Sequence, residues 1–184
     1  MDLQESAERI TKTFDLPQGL NTIGEAHLVG NIAFKTTVKP DIDIQIYSKA
    51  SEWQANGEKI IAYFEKFGLE DYITRNLKES SKYLVSFKYG ESESSWTIDV
   101  TQTTPSAEYL KDAYQFFLDY QNRFTAQKRR TIKALKEYFL KENMLHHSLS
   151  YYIYRAVIDE GAESVDDIYS YLDRIGVDLK RFKQ

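Results

Sequence analysis

The 184-residue chain contains no cysteine. That excludes disulfides, thiolate nucleophiles and thiolate metal sites. The absence suits a reducing compartment, and a cytoplasmic location is the expectation. No apolar run approaches the roughly 20 residues that span a bilayer. The opening Met1-Asp2-Leu3-Gln4-Glu5 is acidic and polar, unlike a secretory leader. No membrane partner is expected. Several signatures are also missing: the Gly-x₄-Gly-Lys-Ser/Thr phosphate loop, Gly-x-Gly-x-x-Gly, the Gly-x-Ser-x-Gly elbow and His-Glu-x-x-His. Their absence removes the commoner competing enzyme classes. There is no internal repeat. A formal net charge of −4 weighs against non-specific nucleic-acid binding, which depends on neutralising phosphates with cations.

Hydrophobic residues make up 42% of the chain, enough for a true core. The length suits one domain, or one compact domain with a helical appendix. The three prolines fall at boundaries. Leu3 to Phe14 reads as an amphipathic helix with Ile10 and Phe14 on one side, and Leu16-Pro17-Gln18-Gly19 breaks it. Glu25 to Val29 is a first strand, closed by a Gly30-Asn31 turn, and the loop from Ile32 to Pro40 has room for a helical turn. Pro40 favours an extended entry into a second strand, Ile42 to Tyr47. Ser51 to Phe67 is a helix with Ser51 as N-cap, Gly68 as stop, and Ile60, Ile61, Phe64 and Phe67 at helical spacing. Three strands follow: Tyr72 to Leu77, Lys82 to Tyr89 and Ser95 to Thr101. Tyr89-Gly90-Glu91-Ser92 looks like a hairpin connection.

After Pro105 the strand signal ends. Ala107 to Phe124 reads as a helix with Leu110, Tyr114, Phe117 and Leu118 along a stripe. Ala126 to Glu142 is a second helix, or the same one continued after a bend, with Ile132, Leu135, Tyr138 and Phe139 inward. Leu149 to Asp159 ends at Gly161, and Ser164 to Ile175 has Ser164 as N-cap and Gly176 as stop. The fold class is therefore α/β of the α+β kind. A small mixed sheet of about five strands with helices occupies residues 1–104, and a helical region, 105–184, packs on that core. Fourteen tyrosines enrich the chain, and this excess suits an acceptor pocket or a homo-oligomer interface as well as a core. Tyr151, Tyr152 and Tyr154 are neighbours on one helix and cannot all face one core.

The second strand carries the chemistry. Residues i and i+2 of a strand project from one face. Asp41 and Asp43 are thus neighbours, with Ile42, Ile44 and Ile46 turned to the core. On the last strand Trp96, Ile98 and Val100 share one face, and Thr97 and Asp99 the other. If that strand lies beside the second, Asp99 faces the pair. Three carboxylates on one face repel one another unless a cation answers them, and hard oxygen ligands suit Mg²⁺. Lys35 and Lys39, in the loop before the second strand, are loop lysines that are either solvated or placed to neutralise phosphate. His27 is read as packing. The adjacent His146 and His147 lack a metal-ligand spacing. Lys128-Arg129-Arg130 is read as a solvated helix face.

The run apolar-Gly-x, nine residues, then Asp-apolar-Asp-apolar resembles the signature of the DNA polymerase β-like nucleotidyltransferases. Lys39-Pro40-Asp41-Ile42-Asp43-Ile44 is similar to the GrpB-like, minimal branch of that superfamily. The resemblance implies Mg²⁺-dependent transfer of an NMP from an NTP to a hydroxyl acceptor. It implies Asp41, Asp43 and Asp99 as catalytic ligands for one or two Mg²⁺ ions, with Mn²⁺ able to substitute. Gly30, Asn31, Lys35 and Lys39 would sit at the triphosphate. The acceptor, a small molecule or a protein rather than a nucleic acid, would lie between the sheet face and the C-terminal helices. Asn31 departs from the family, which has serine or glycine there. A catalytically degenerate nucleotide-binding or interaction module on the same fold is the alternative, and a helix-rich oligomerisation protein is a third reading.

Overall fold

The computed structural model describes residues 2–77, 81–90, 95–146 and 148–182. His147 and the Glu91-Ser92 part of the expected hairpin connection lie outside them. The chain forms two compact units, Met1–Asp119 and Tyr120–Gln184.

The first unit is built on a five-stranded mixed sheet. Its strands are β1 (Glu25–Val29), β2 (Asp41–Tyr47), β3 (Tyr72–Leu77), β4 (Lys82–Tyr89) and β5 (Trp96–Thr103), in spatial order β1-β2-β5-β4-β3. All pairings are antiparallel except β2 with β5, which is parallel. The alternation of each strand decides what its faces do. Ile42, Ile44 and Ile46 of β2, Val85 and Phe87 of β4, and Ile98 and Val100 of β5 fill one face. Helices α1 (Leu3–Thr13) and α3 (Trp53–Glu65) cover that face with Ala7, Ile10, Ile60 and Phe64. Phe64 and Phe87 meet with ring centroids 4.3 Å apart. Burying a ring of this size contributes about 1.5–3 kcal/mol. The residues between these apolar positions point to the opposite, polar face.

The short helix α2 (Gly30–Phe34) occupies the place expected for a turn. Gly30 enters it with φ +63, and Lys35 leaves it in the left-handed conformation at φ +58. Residue 51 does not cap α3: a 3₁₀ turn, Ala50–Glu52, precedes the helix, and Glu52 takes the N-cap position without a side-chain bond. The helix expected from 107 starts at Ala113 instead (α4, Ala113–Tyr120). The reason lies in Asp112, whose carboxylate accepts a bond from the Gln115 N–H at 3.0 Å. That is N-cap chemistry, and it fixes the first turn there.

The second unit contains α5 (Ala126–Lys141), α6 (Leu149–Glu160) and α7 (Val165–Arg174). Thr125 caps α5, and Ser164 with Asp167 forms a reciprocal capping box on α7. Gly161 and Gly176 follow α6 and α7 with positive φ. Ile132, Leu135, Phe139, Ile153, Val157, Ile168 and Leu172 are buried. Tyr152 and Tyr154 are buried too, and Tyr151 is half-buried.

Helical spacing alone overstated several inward positions. Phe67, Leu110, Leu118 and Tyr138 are each about two-fifths exposed. Phe67 follows the end of α3, and Leu110 precedes α4, so neither belongs to a helical face. Around α4, Phe116 and Tyr120 are the buried residues. No helix among the described residues is long and apolar enough to cross a membrane.

Candidate active site

The polar face of the first unit brings acids from two distant stretches together. In the β2–β5 register, Asp43 lies directly opposite Asp99, and Asp41 opposite Thr97. Adjacent strands run about 4.8 Å apart, so Asp43 and Asp99 are immediate neighbours. Asp41 follows on the same face, one pleat period along β2. Ser86 of β4 lies opposite Asp99 on the other side, and Lys88 opposite Thr97.

Each acid has a different environment. Asp41 is buried, at 8% exposure. Its Oδ1 and Oδ2 accept from Asn31 Nδ2 at 3.1 and 3.3 Å. Its Oδ2 also pairs with Lys39 Nζ at 2.9 Å. Asp43 lies against the start of α2, where a Cβ on Gly30 would stand 2.5 Å from Asp43 Oδ2. The left-handed glycine is required twice over, by its φ and by this approach. Asp99 accepts a hydrogen bond from the Ser86 side chain, yet its Oδ1 is buried with no hydrogen-bond partner among the described residues. Burial pushes the Asp99 carboxyl above the usual range, and Asp41 adds to the shift. Ser86, Lys39 and Lys88 oppose it without cancelling it. Burial alone would pull the Lys39 ammonium down, but Asp41, with help from Asp43 and Asp99, raises it and keeps it charged.

Among the described residues the cluster holds three carboxylates, an ammonium paired directly with Asp41, the charges of Lys88 and Lys82 acting on Asp99 and Asp43, and a carboxylate oxygen with no donor. A hard divalent cation fits that donor set chemically. The side chains as they stand do not close on a common point: among the described residues no group of three acidic or imidazole side chains is arranged to hold a metal. Lys39 stands at the Asp41 end of the cluster instead. Of the other residues singled out in the sequence, Lys35 is exposed at the end of α2, and no ion pair among the described residues links it to the acids. His27 bonds Glu25 at 3.0 Å and stacks on Tyr114 at 3.4 Å, so it packs. His146 contacts Asn143 Oδ1 at 3.2 Å. The basic run on α5 is used within its own unit. Lys128 Nζ donates to the Ile158 carbonyl, Arg129 lies over Phe124, and Arg130 bonds Gln127.

Three contributors are not among the residues singled out in the sequence. Ser86 and Lys88 flank the acids only through the β4–β5 register. Lys88 Nζ donates to Thr97 Oγ1 at 2.7 Å. Asp112, 1% exposed, ties the segment after β5 to the same sheet face. It accepts from Gln45 Nε2 at 2.8 Å, from the Tyr47 hydroxyl at 2.7 Å and from the Ser106 N–H at 3.0 Å. The spacing Asp112-x-x-Gln115 was the available signal for a helix start.

Compared by sequence, the chain matches no protein-family model and no curated protein. Compared by structure, it is similar to the Cid1 poly(U) polymerase in a MgATP-bound form: TM-score 0.55, 13% identity, covering 85% of this chain and 50% of that one. It is similar to the poly(A) polymerase complex GLD-2–GLD-3, with TM-score 0.56, 16% identity, 100% of this chain and 68% of that one. It also resembles a cytoplasmic RNA terminal U-transferase, with TM-score 0.51, 13% identity, 84% of this chain and 46% of that one. The chain has the fold of the polymerase β-like nucleotidyltransferases. It spans half the length of the Cid1 chain.

Proposed function

We propose that this protein is an Mg²⁺-dependent nucleotidyltransferase that moves an NMP from an NTP to a hydroxyl acceptor. The observation that carries the reading is the parallel β2–β5 pairing, which sets Asp43 against Asp99 with Asp41 on the same face. Asp41, Asp43 and Asp99 would hold the metal, and the start of α2 at Gly30 and Asn31 would receive the triphosphate. When bound, the metal supplies charge neutralisation for the leaving pyrophosphate and sharpens the attacking oxygen. In the transfer, the acceptor oxygen bonds to the α-phosphorus as the bond from that phosphorus to the bridging oxygen breaks. The Asp99 carboxylate, with its unpartnered Oδ1, would take the hydroxyl proton. Lys39 and Lys88 would answer phosphate charge beside the acids.

The acceptor we favour is a small molecule or a protein side chain, because a net charge of −4 suits a long polyanion poorly. RNA is the second reading. It is favoured by the likeness to a poly(U) polymerase and an RNA terminal U-transferase. A supply of labelled NTPs with an RNA oligonucleotide separates the two by whether the oligonucleotide is extended.

The function itself is tested by calorimetry with each of the four NTPs, with and without Mg²⁺. Mg²⁺-dependent binding of at least one NTP is expected, lost in the Asp41→Ala/Asp43→Ala double variant. Absence of binding by any NTP would sink the enzyme reading in favour of a module that keeps the fold without turnover. With an acceptor in hand, Asp99→Asn should lower kcat by about 10²–10⁴-fold.

A further inference from the structure

The cation paired directly with an acid of the cluster is Lys39. Both oxygens of Asp41 are engaged, Oδ1 by Asn31 and Oδ2 by Asn31 and Lys39. The backbone that carries Lys39 is held firmly. Thr36, Thr37 and Val38 are buried, and the Thr37 hydroxyl donates to Gln4 Oε1 of α1 at 2.7 Å. The Lys39 carbonyl accepts from the Asp41 N–H at 2.9 Å. The lysine side chain, in contrast, is 40% exposed. A fixed root with a half-exposed, flexible stem lets the ammonium exchange partners without moving the loop.

We propose that Lys39 is an internal stand-in cation that makes metal binding at Asp41 conditional on nucleotide. In the absence of nucleotide, a divalent ion approaching Asp41 must evict the ammonium and overcome its like charge, with no new partner to offer it. A bound triphosphate supplies that partner: the ammonium pairs with phosphate oxygen and releases Asp41 Oδ2. Asn31 works in the same direction, since its amide donates to both oxygens that a metal would use. Lys39 is therefore a positioning residue whose two partners, carboxylate and phosphate, couple the two ligands. By linkage that coupling is reciprocal. The inference rests on the reading that Asp41, Asp43 and Asp99 hold the metal.

Mn²⁺ binding to the full chain tests it, measured by calorimetry with and without a non-hydrolysable NTP analogue. Wild type should bind Mn²⁺ at least about tenfold more tightly with the analogue than without, which corresponds to about 1.4 kcal/mol of coupling. Lys39→Met, which keeps the stem and removes the charge, should bind Mn²⁺ alone at least tenfold more tightly than wild type. Its dependence on the analogue should shrink to less than threefold. Lys39→Arg should keep weak binding of Mn²⁺ alone, which guards against a fold defect in the methionine variant. Melting curves give a second readout: Mn²⁺ alone should raise the melting temperature of Lys39→Met but not of wild type. Equal Mn²⁺ affinity in wild type and Lys39→Met, lost in Asp41→Ala/Asp43→Ala, would overturn this inference and leave the proposed function standing. Mn²⁺ binding that survives the double variant would overturn both.

Discussion

A carboxylate that is 1% exposed must have its charge answered locally, and Asp112 draws donors from Gln45, Tyr47 and two backbone N–H groups. Burial works to raise its pKa, but these donors outweigh burial and hold it below the usual carboxylate range. The same carboxylate, with burial, drives the Tyr47 hydroxyl well above its ordinary value, so Tyr47 stays a donor at any physiological pH. The sign of the linkage follows. A depressed folded-state pKa contributes stability that is complete above the unfolded value and is lost as pH falls through the folded one. Asp112→Asn should cost about 1.5–3 kcal/mol at neutral pH. Urea melts of that variant should also show a shallower loss of stability below about pH 4 than wild type. Parallel acid limbs in the two proteins would contradict the assignment. Asp112 is overlooked in the sequence because it sits in a stretch whose apolar spacing reads as continuous helix, which masks its N-cap spacing to Gln115. Asp41 and Asp43 were legible because a single strand fixes their common face, with no need to know the partner strand.

Among the elements, the junction of β1 and α2 is the most constrained. Gly30→Ala places a methyl at a positive φ and against Asp43 Oδ2. The variant should be destabilised by about 1–3 kcal/mol, and NTP affinity should fall with it. Circular dichroism melts paired with calorimetry check both, and a variant with wild-type stability would remove the reason given for the glycine. The Gly30-Asn31 pair was readable as chain reversal but not as a helix start, because five residues are too few for a periodic signal. The strand β3 shows a related limit. Its β-branched and aromatic residues identify it as a strand, yet all six positions are exposed, since it lies at the sheet edge with one neighbour. The caps read most directly: Ser164, Gly161 and Gly176 act where their own chemistry puts them.

Taken as a whole, the chain forms two compact units, and every residue of the candidate site falls in Met1–Asp119. Sequence alternation gave both faces of β2 and β5 but not the register that sets Asp43 against Asp99, because pairing between strands so far apart in the chain leaves no local trace. The GrpB-like placement rests on the Lys39–Ile44 run alone. The pairing that creates the site also has a consequence in time. The β3–β4 and β4–β5 pairings join strands adjacent in sequence, whereas β2 reaches β5 across α3, β3 and β4. Long-range parallel pairing must close its loop before contacts repay the entropy. We expect the hairpins and helices to form first and the acid pair to come into being with the last step. Refolding followed by far-ultraviolet circular dichroism should therefore run ahead of the return of Mg²⁺–NTP binding. Two traces rising together would mean that β2 docks early. A chain that is still folding would meanwhile spare itself the repulsion of its own carboxylates until the rest of the sheet is in place to bear it.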